Sequence, residues 1–137
     1  MNKENTEKII KDFPGFWKHA HNLKASLMMF GFECDDGWFQ LIHRLCTDIQ
    51  KELNKQDEQF NEDFYVVQVK EKFAGLRFYI SHGTDEIFEL IREAEKKSEK
   101  TCEKCGKPGV VRVRGGWYKC LCEDCSKKLG GWKLANW

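Results

Sequence analysis

Four cysteines near the C-terminal end, Cys102-x-x-Cys105 and Cys122-x-x-Cys125, constrain this chain more than any other feature. Sixteen residues separate the two pairs. Each C-x-x-C turn places two thiolates at one metal's bonding distance, and two such knuckles fill a tetrahedral shell. Gly106 directly after Cys105 suits the tight turn. Between the knuckles, Val110-Val111-Arg112-Val113-Arg114 and Trp117-Tyr118-Lys119-Cys120 flank Gly115-Gly116. A Gly-Gly pair between β-prone runs favours a two-residue turn at positive φ. Knuckle, hairpin, knuckle predicts a zinc ribbon with a structural Zn²⁺ held by Cys102, Cys105, Cys122 and Cys125. Cys120 is expected to stay off the metal, because Cys120-x-Cys122 lacks knuckle spacing. With four thiolates the shell is closed, so metal-assisted hydrolysis is not expected.

With 137 residues, the chain supports one compact domain or a small domain with an appended metal module. The ten Phe and five Trp supply enough apolar surface for a core. No apolar run is long enough to span a membrane, and the polar N-terminus has no signal-peptide pattern. The seven cysteines are odd in number and metal-spaced, which favours a reducing cytoplasm over a disulfide scaffold. Charge is unevenly distributed. Residues 1–63 hold 8 Lys/Arg against 12 Asp/Glu, and residues 64–137 hold 15 against 10. A basic C-terminal half suggests an anionic partner there, or serves only solubility.

The predicted fold class is α+β: helices around a β-hairpin, with the ribbon packed on them. The expected division is an α+β domain over 1–100 and a ribbon with an aromatic tail over 101–137. Residues 4–12 predict a helix ended by Pro14-Gly15. Residues 16–30 show helical spacing of Trp17, Ala20, Leu23, Leu27 and Phe30. Asp35-Asp36-Gly37 leads into a clear amphipathic helix through Ile42, Leu45, Ile49 and Leu53, with an Asp available as N-cap. Polar residues 54–63 read as a loop. The central hairpin covers about residues 64–80 and turns at Phe73-Ala74-Gly75. Alternation puts Val67, Val69, Leu76, Phe78 and Ile80 below, and Gln68, Lys70, Lys72, Arg77 and Tyr79 above. Thr84 is placed to cap a further helix containing Ile87, Leu90, Ile91 and Ala94. The tail, residues 130–137, is expected to fold back so that its tryptophans escape water.

Three segments together resemble a family of small zinc-ribbon proteins of phages and prophage-bearing bacteria. They are Gly31-Phe32-Glu33-Cys34-Asp35-Asp36-Gly37-Trp38, then Gln68-Val69-Lys70-Glu71-Lys72-Phe73-Ala74-Gly75-Leu76-Arg77-Phe78-Tyr79, and Cys102-Glu103-Lys104-Cys105-Gly106 with Leu121-Cys122. The family usually has Gly where Asp35 and Ala74 stand, and commonly Thr at Cys120. The resemblance covers about residues 30–126. It implies a phage-like setting and carries no mechanism.

Three candidate surfaces follow. Gln68, Lys70, Lys72, Arg77 and Tyr79 combine cationic donors with an aromatic ring, as a site for phosphate and a stacked base would, or form a solvated strand face. Glu33, Cys34 and Asp36 offer carboxylates and a thiol, but no local base accompanies the thiol and acidic neighbours disfavour the thiolate. Cys34 then reads as a small buried residue. On the ribbon, Arg112, Arg114, Trp117 and Lys119, with Lys104, Lys107, Lys127, Lys128, Tyr118 and Trp132, suit nucleic acid, a protein partner, or the ribbon's own small core. The leading expectation is a non-enzymatic, phage-type binding protein that engages an anionic ligand (nucleotide or nucleic acid) or a host protein, in a host-interaction or counter-defence role. A transcription-associated nucleic-acid ribbon is the alternative. An enzyme using Glu33 and Asp36 with Lys70 or Arg77 ranks third.

Overall fold

Apolar residues recurring every three or four positions build the two main helices, and alternation builds the hairpin between them. A computed structural model describes residues 1–136, so Trp137 of the tail lies outside the described residues. Helix α1 (Lys3–Asp12) is capped by Asn2, whose side chain accepts from the Asn5 N–H. Strand β1 (Phe32–Glu33), helix α2 (Phe39–Leu53), helix α3 (Glu58–Asp63), strands β2 (Val66–Lys72) and β3 (Gly75–Ile80), and helix α4 (Asp85–Ser98) follow. The ribbon comprises β4 (Val110–Arg114), β5 (Trp117–Leu121), helix α5 (Glu123–Leu129) and β6 (Lys133–Leu134). The first sheet has the order β1-β2-β3, with β1 parallel to β2 and β3 antiparallel; the second has the order β5-β4-β6. This is the α+β arrangement the sequence predicts. Among the described residues, no helix is long and apolar enough to cross a membrane.

The core lies between α2, α4 and one face of the first sheet. Ile42, Leu45, Cys46 and Ile49 of α2 and Ile87, Ile91 and Ala94 of α4 meet Val66, Val69, Leu76 and Phe78. Aromatic edges close one end: Phe16 packs against Phe13, Trp17 and Phe64, and Trp17 against Phe32. The β3 edge is covered by α4, since Ser98 Oγ accepts from Leu76 N–H and Glu95 Oε2 from Phe78 N–H. Side-chain acceptors thus occupy strand donors that would otherwise invite another chain.

Four local expectations need correction. Residues 16–30 form no helix; two short 3₁₀ turns, Pro14–Trp17 and Met28–Phe30, bracket irregular chain. Polar side chains take the backbone's partners there: Asn22 accepts from Lys24 N–H, and Ser26 Oγ accepts from Met28 N–H while bonding to the Val66 and Val67 carbonyls. Residues 54–63 are not all loop, because Asp57 caps α3 by accepting from Phe60 N–H. In β2 a register shift between Val66 and Gln68 turns Val66 and Val69 into the core, leaving Val67 half-buried. Neither Asp35 nor Asp36 caps α2 through its side chain; a 3₁₀ turn, Asp36–Trp38, leads into it instead. The capping role of Thr84 matches the sequence, its hydroxyl accepting from Ile87 N–H at 3.2 Å.

A four-cysteine candidate metal centre and the groove beside it

The four knuckle cysteines converge, and their Sγ atoms all lie within 4.8 Å of one another. Four thiolates at Zn–S distances of about 2.3 Å form a tetrahedron with edges of about 3.8 Å, so the cluster fits such an ion. Cys105 and Cys122 Sγ stand 3.6 Å apart. Cys122 also caps α5, its sulfur accepting from Cys125 N–H at 3.4 Å. That N–H is the chief influence holding the Cys122 thiol down at about 7. Cys120 is separate: its buried Sγ donates to the Glu99 carbonyl at 3.3 Å, and burial pushes its thiol up to about 12. The cluster is a plausible metal site of four sulfur donors, a set that suits zinc.

The first knuckle sits on the segment before α2. Gly37 N–H donates to the Glu103 carbonyl at 2.7 Å, and Trp38 Nε1 donates to the Thr101 carbonyl at 2.9 Å. The Glu103 side chain, 2% exposed between the two cysteines of the first knuckle, accepts from Asp35 N–H at 3.0 Å. Lys119 reaches Asp35 at 3.3 Å and Glu103 at 3.4 Å, and Lys104 reaches Asp35 at 3.2 Å. Burial holds Glu103 above the usual carboxylate range, only partly offset by Lys119. Burial also works against the Asp35 carboxylate, but Lys119 and Lys104 outweigh it and its pKa is lowered. For Lys119, burial is overcome by Glu103 and Asp35, which raise it. The lysine that the sequence places on a contact surface is tied into an internal ion cluster.

Strand pairing brings the basic hairpin residues together. Gln68 lies opposite Tyr79, Lys70 opposite Arg77, and Lys72 opposite Gly75. Glu33 joins them through its parallel pairing with Lys70 and accepts from Gln68 Nε2 at 3.2 Å, so the face is mixed in charge. Asp36 points elsewhere, accepting from Asn2 N–H and Asn5 Nδ2. Glu33 and Asp36 therefore serve different surroundings. Cys34 is buried, and its thiol is pushed up to about 12, first by burial and then by Glu103.

A groove escapes the sequence reading. The β2–β3 turn, with Lys72 and Phe73, faces the β4–β5 turn, with Gly115, Gly116, Trp117 and Tyr118. Together with Glu71 these residues line an open groove of about 450 Å³. A second space of about 410 Å³ shares Glu71, Trp117 and Tyr118 with it and adds Arg114, Lys119 and Trp132. The Phe73 and Tyr118 ring centroids are 6.5 Å apart across the two hairpins. Arg114 lies 4.7 Å from the Trp132 ring and donates to the Leu129 and Gly130 carbonyls, pinning the tail as β6 pairs with β4. Arg112 turns away and donates Nε–H to the Leu121 carbonyl. The groove depends on the packing of two hairpins distant in sequence, and the one local signal for it is a bulky Phe at a turn position. No protein-family model, curated protein or solved structure matches the chain.

Proposed function

We propose that this is a non-enzymatic binding protein in which a structural Zn²⁺ sets the ribbon and the ribbon completes a recognition groove for an anionic ligand. The observation carrying this reading is the convergence of the two hairpin turns on one open groove, with Phe73, Trp117 and Tyr118 beside Lys72. Aromatic faces and a cation in a concave space suit an anion that also carries a flat apolar part. Cys34 supports the non-enzymatic side, because a buried thiol pushed up to about 12 is a poor nucleophile. The resemblance of three segments to phage proteins supports a role in engaging a host component, in host interaction or counter-defence.

The metal's part is to fix geometry. Zinc would be held by Cys102, Cys105, Cys122 and Cys125, and it supplies the binding free energy that folds the ribbon. Intrinsic tryptophan fluorescence of metal-loaded protein, titrated with polyphosphate, mononucleotides and oligonucleotides at low and physiological salt, tests the reading. Saturable binding that weakens with salt and disappears on chelation is expected. If no anion in the panel binds at low salt, the reading fails and the groove takes an uncharged or protein partner.

A further inference from the structure

Phe73 and Trp117 are two largely exposed aromatic residues, and neither belongs to the buried core. Phe73 is 60% exposed and Trp117 75%, each at or beside the tip of a hairpin, and both line the same groove. Phe73 also keeps an unfavourable backbone. It and Ala74 are the two central residues of a two-residue loop, with φ of 51° and 70°. A type I′ turn demands positive φ at both, which Asn-Gly or Gly-Gly meets without strain. A bulky aromatic held there against its conformational preference, with its ring in solvent, points to a use for the ring.

The surroundings define what the ring would meet. Lys72 Nζ lies 5.7 Å from the Phe73 ring, and Arg114 lies over Trp132, both of these lining the second space. Among the described residues, neither cation has a carboxylate partner within salt-bridge distance. The acid in the groove, Glu71, accepts the Ala74 N–H at 2.9 Å and so braces the turn. Lys119, by contrast, is neutralised from within by Asp35 and Glu103. The spaces of about 450 and 410 Å³ share Glu71, Trp117 and Tyr118 in their linings, and each is large enough for a base. Rings on facing turns, flanked by cations that have no carboxylate partner, match the stacking platforms that hold unpaired bases. Duplex bases, stacked on each other, could not reach them.

Resting on the anionic-ligand reading above, we infer that the groove between the two hairpin turns binds single-stranded nucleic acid. Bases stack on Phe73 and Trp117, and Lys72 and Arg114 draw the phosphates. The test is fluorescence anisotropy of the metal-loaded 137-residue chain with a short oligothymidylate, its abasic counterpart, the same strand in duplex, and thymidine monophosphate. The base-bearing strand should bind at least about tenfold more tightly than the abasic strand. Trp117→Ala should erase that difference, lowering affinity for the base-bearing strand about tenfold and leaving the abasic strand unchanged. Phe73→Gly should do the same while melting at or above the wild-type temperature, because it relieves the positive φ; lost binding is thereby separated from lost folding. Equal binding of base-bearing and abasic strands would overturn stacking and leave the anionic-ligand reading standing. Equal binding of duplex, or of the mononucleotide, would overturn the single-strand assignment. A groove occupied by a protein segment would leave every probe unbound and overturn both readings.

Discussion

Gly37 donates its backbone N–H to the Glu103 carbonyl at 2.7 Å, which ties the turn before α2 to the middle of the first cysteine knuckle. Contact this close excludes a side chain. A Cβ on residue 37 would stand 2.2 Å from the Cys102 carbonyl oxygen and 2.4 Å from that of Glu103, both backbone atoms. The four-cysteine cluster and the α+β core therefore share one seam.

Gly37→Ala should cost at least about 3 kcal/mol, because fixed backbone must move to admit a methyl group. Thermal melting, paired with zinc content by elemental analysis, measures both sides of the seam. Expected together are a large fall in melting temperature and reduced metal retention. A melting temperature within a degree or two of wild type, with full metal, would mean the knuckle does not rest on residue 37.

Serine substitution at Cys102, Cys105, Cys122 or Cys125 should each abolish metal retention, since ligand loss and ribbon unfolding are one free energy. Cys120→Ser should keep the metal, because its sulfur is bonded to the Glu99 carbonyl outside the cluster. Native mass spectrometry reads stoichiometry directly. Metal kept in Cys122→Ser and lost in Cys120→Ser would reverse the ligand assignment.

Lys119→Met should act on stability rather than on ligand binding. It strips the buried Glu103 of a cationic partner, and breaking a fully buried pair costs about 3–5 kcal/mol. Lys119 keeps 23% of its side chain exposed, so a smaller loss of about 2 kcal/mol is expected. Adding Glu103→Gln should recover part of it. Chemical denaturation gives the cycle. Full stability with weakened oligonucleotide binding would instead make Lys119 a contact residue.

Glu95 gives a pH dependence of definite sign. Burial raises its pKa, with the Phe78 N–H and Arg77 offsetting only part. Its folded value thus lies above its unfolded value. This group's stability is complete below the unfolded carboxylate range, around pH 4, and is lost as pH rises through the folded value. Glu95→Gln should be as stable as wild type, or more so, at neutral pH, and the comparison should turn toward wild type on acidification. Denaturation midpoints from pH 3 to 7 decide it. A variant that loses most ground at neutral pH would mean the charged carboxylate is favoured.

Much of the fold was legible because its signals are local. The periods of α2 and α4, the Thr84 cap and the Gly115-Gly116 turn each involve neighbours in the chain. The β2–β3 pairing opposes Lys70 to Arg77 and Gln68 to Tyr79, which places all four on one face as alternation predicts. Residues 16–30 misled because Trp17, Leu23 and Leu27 recur at helical spacing, whereas Asn22 and Ser26 satisfy backbone groups that a helix would need. Asp57, an unread N-cap, hid α3 in a polar stretch. The register shift at Val67 left no mark, because Val66 and Val67 are chemically interchangeable in a strand pattern.

By itself the sequence determined which four cysteines converge, since knuckle spacing fixes how four sulfurs can meet, and the α+β class, since periodicity depends only on which residues are apolar. Only the tertiary structure decided what the remaining charges and rings do. Asp35, Glu103 and Lys119 stand far apart in the chain and form one partly buried ion cluster. Phe73 and Trp117 belong to separate hairpins and line one groove. Burial and pairing set both the protonation of a charge and the accessibility of a ring, and those come from packing between distant segments.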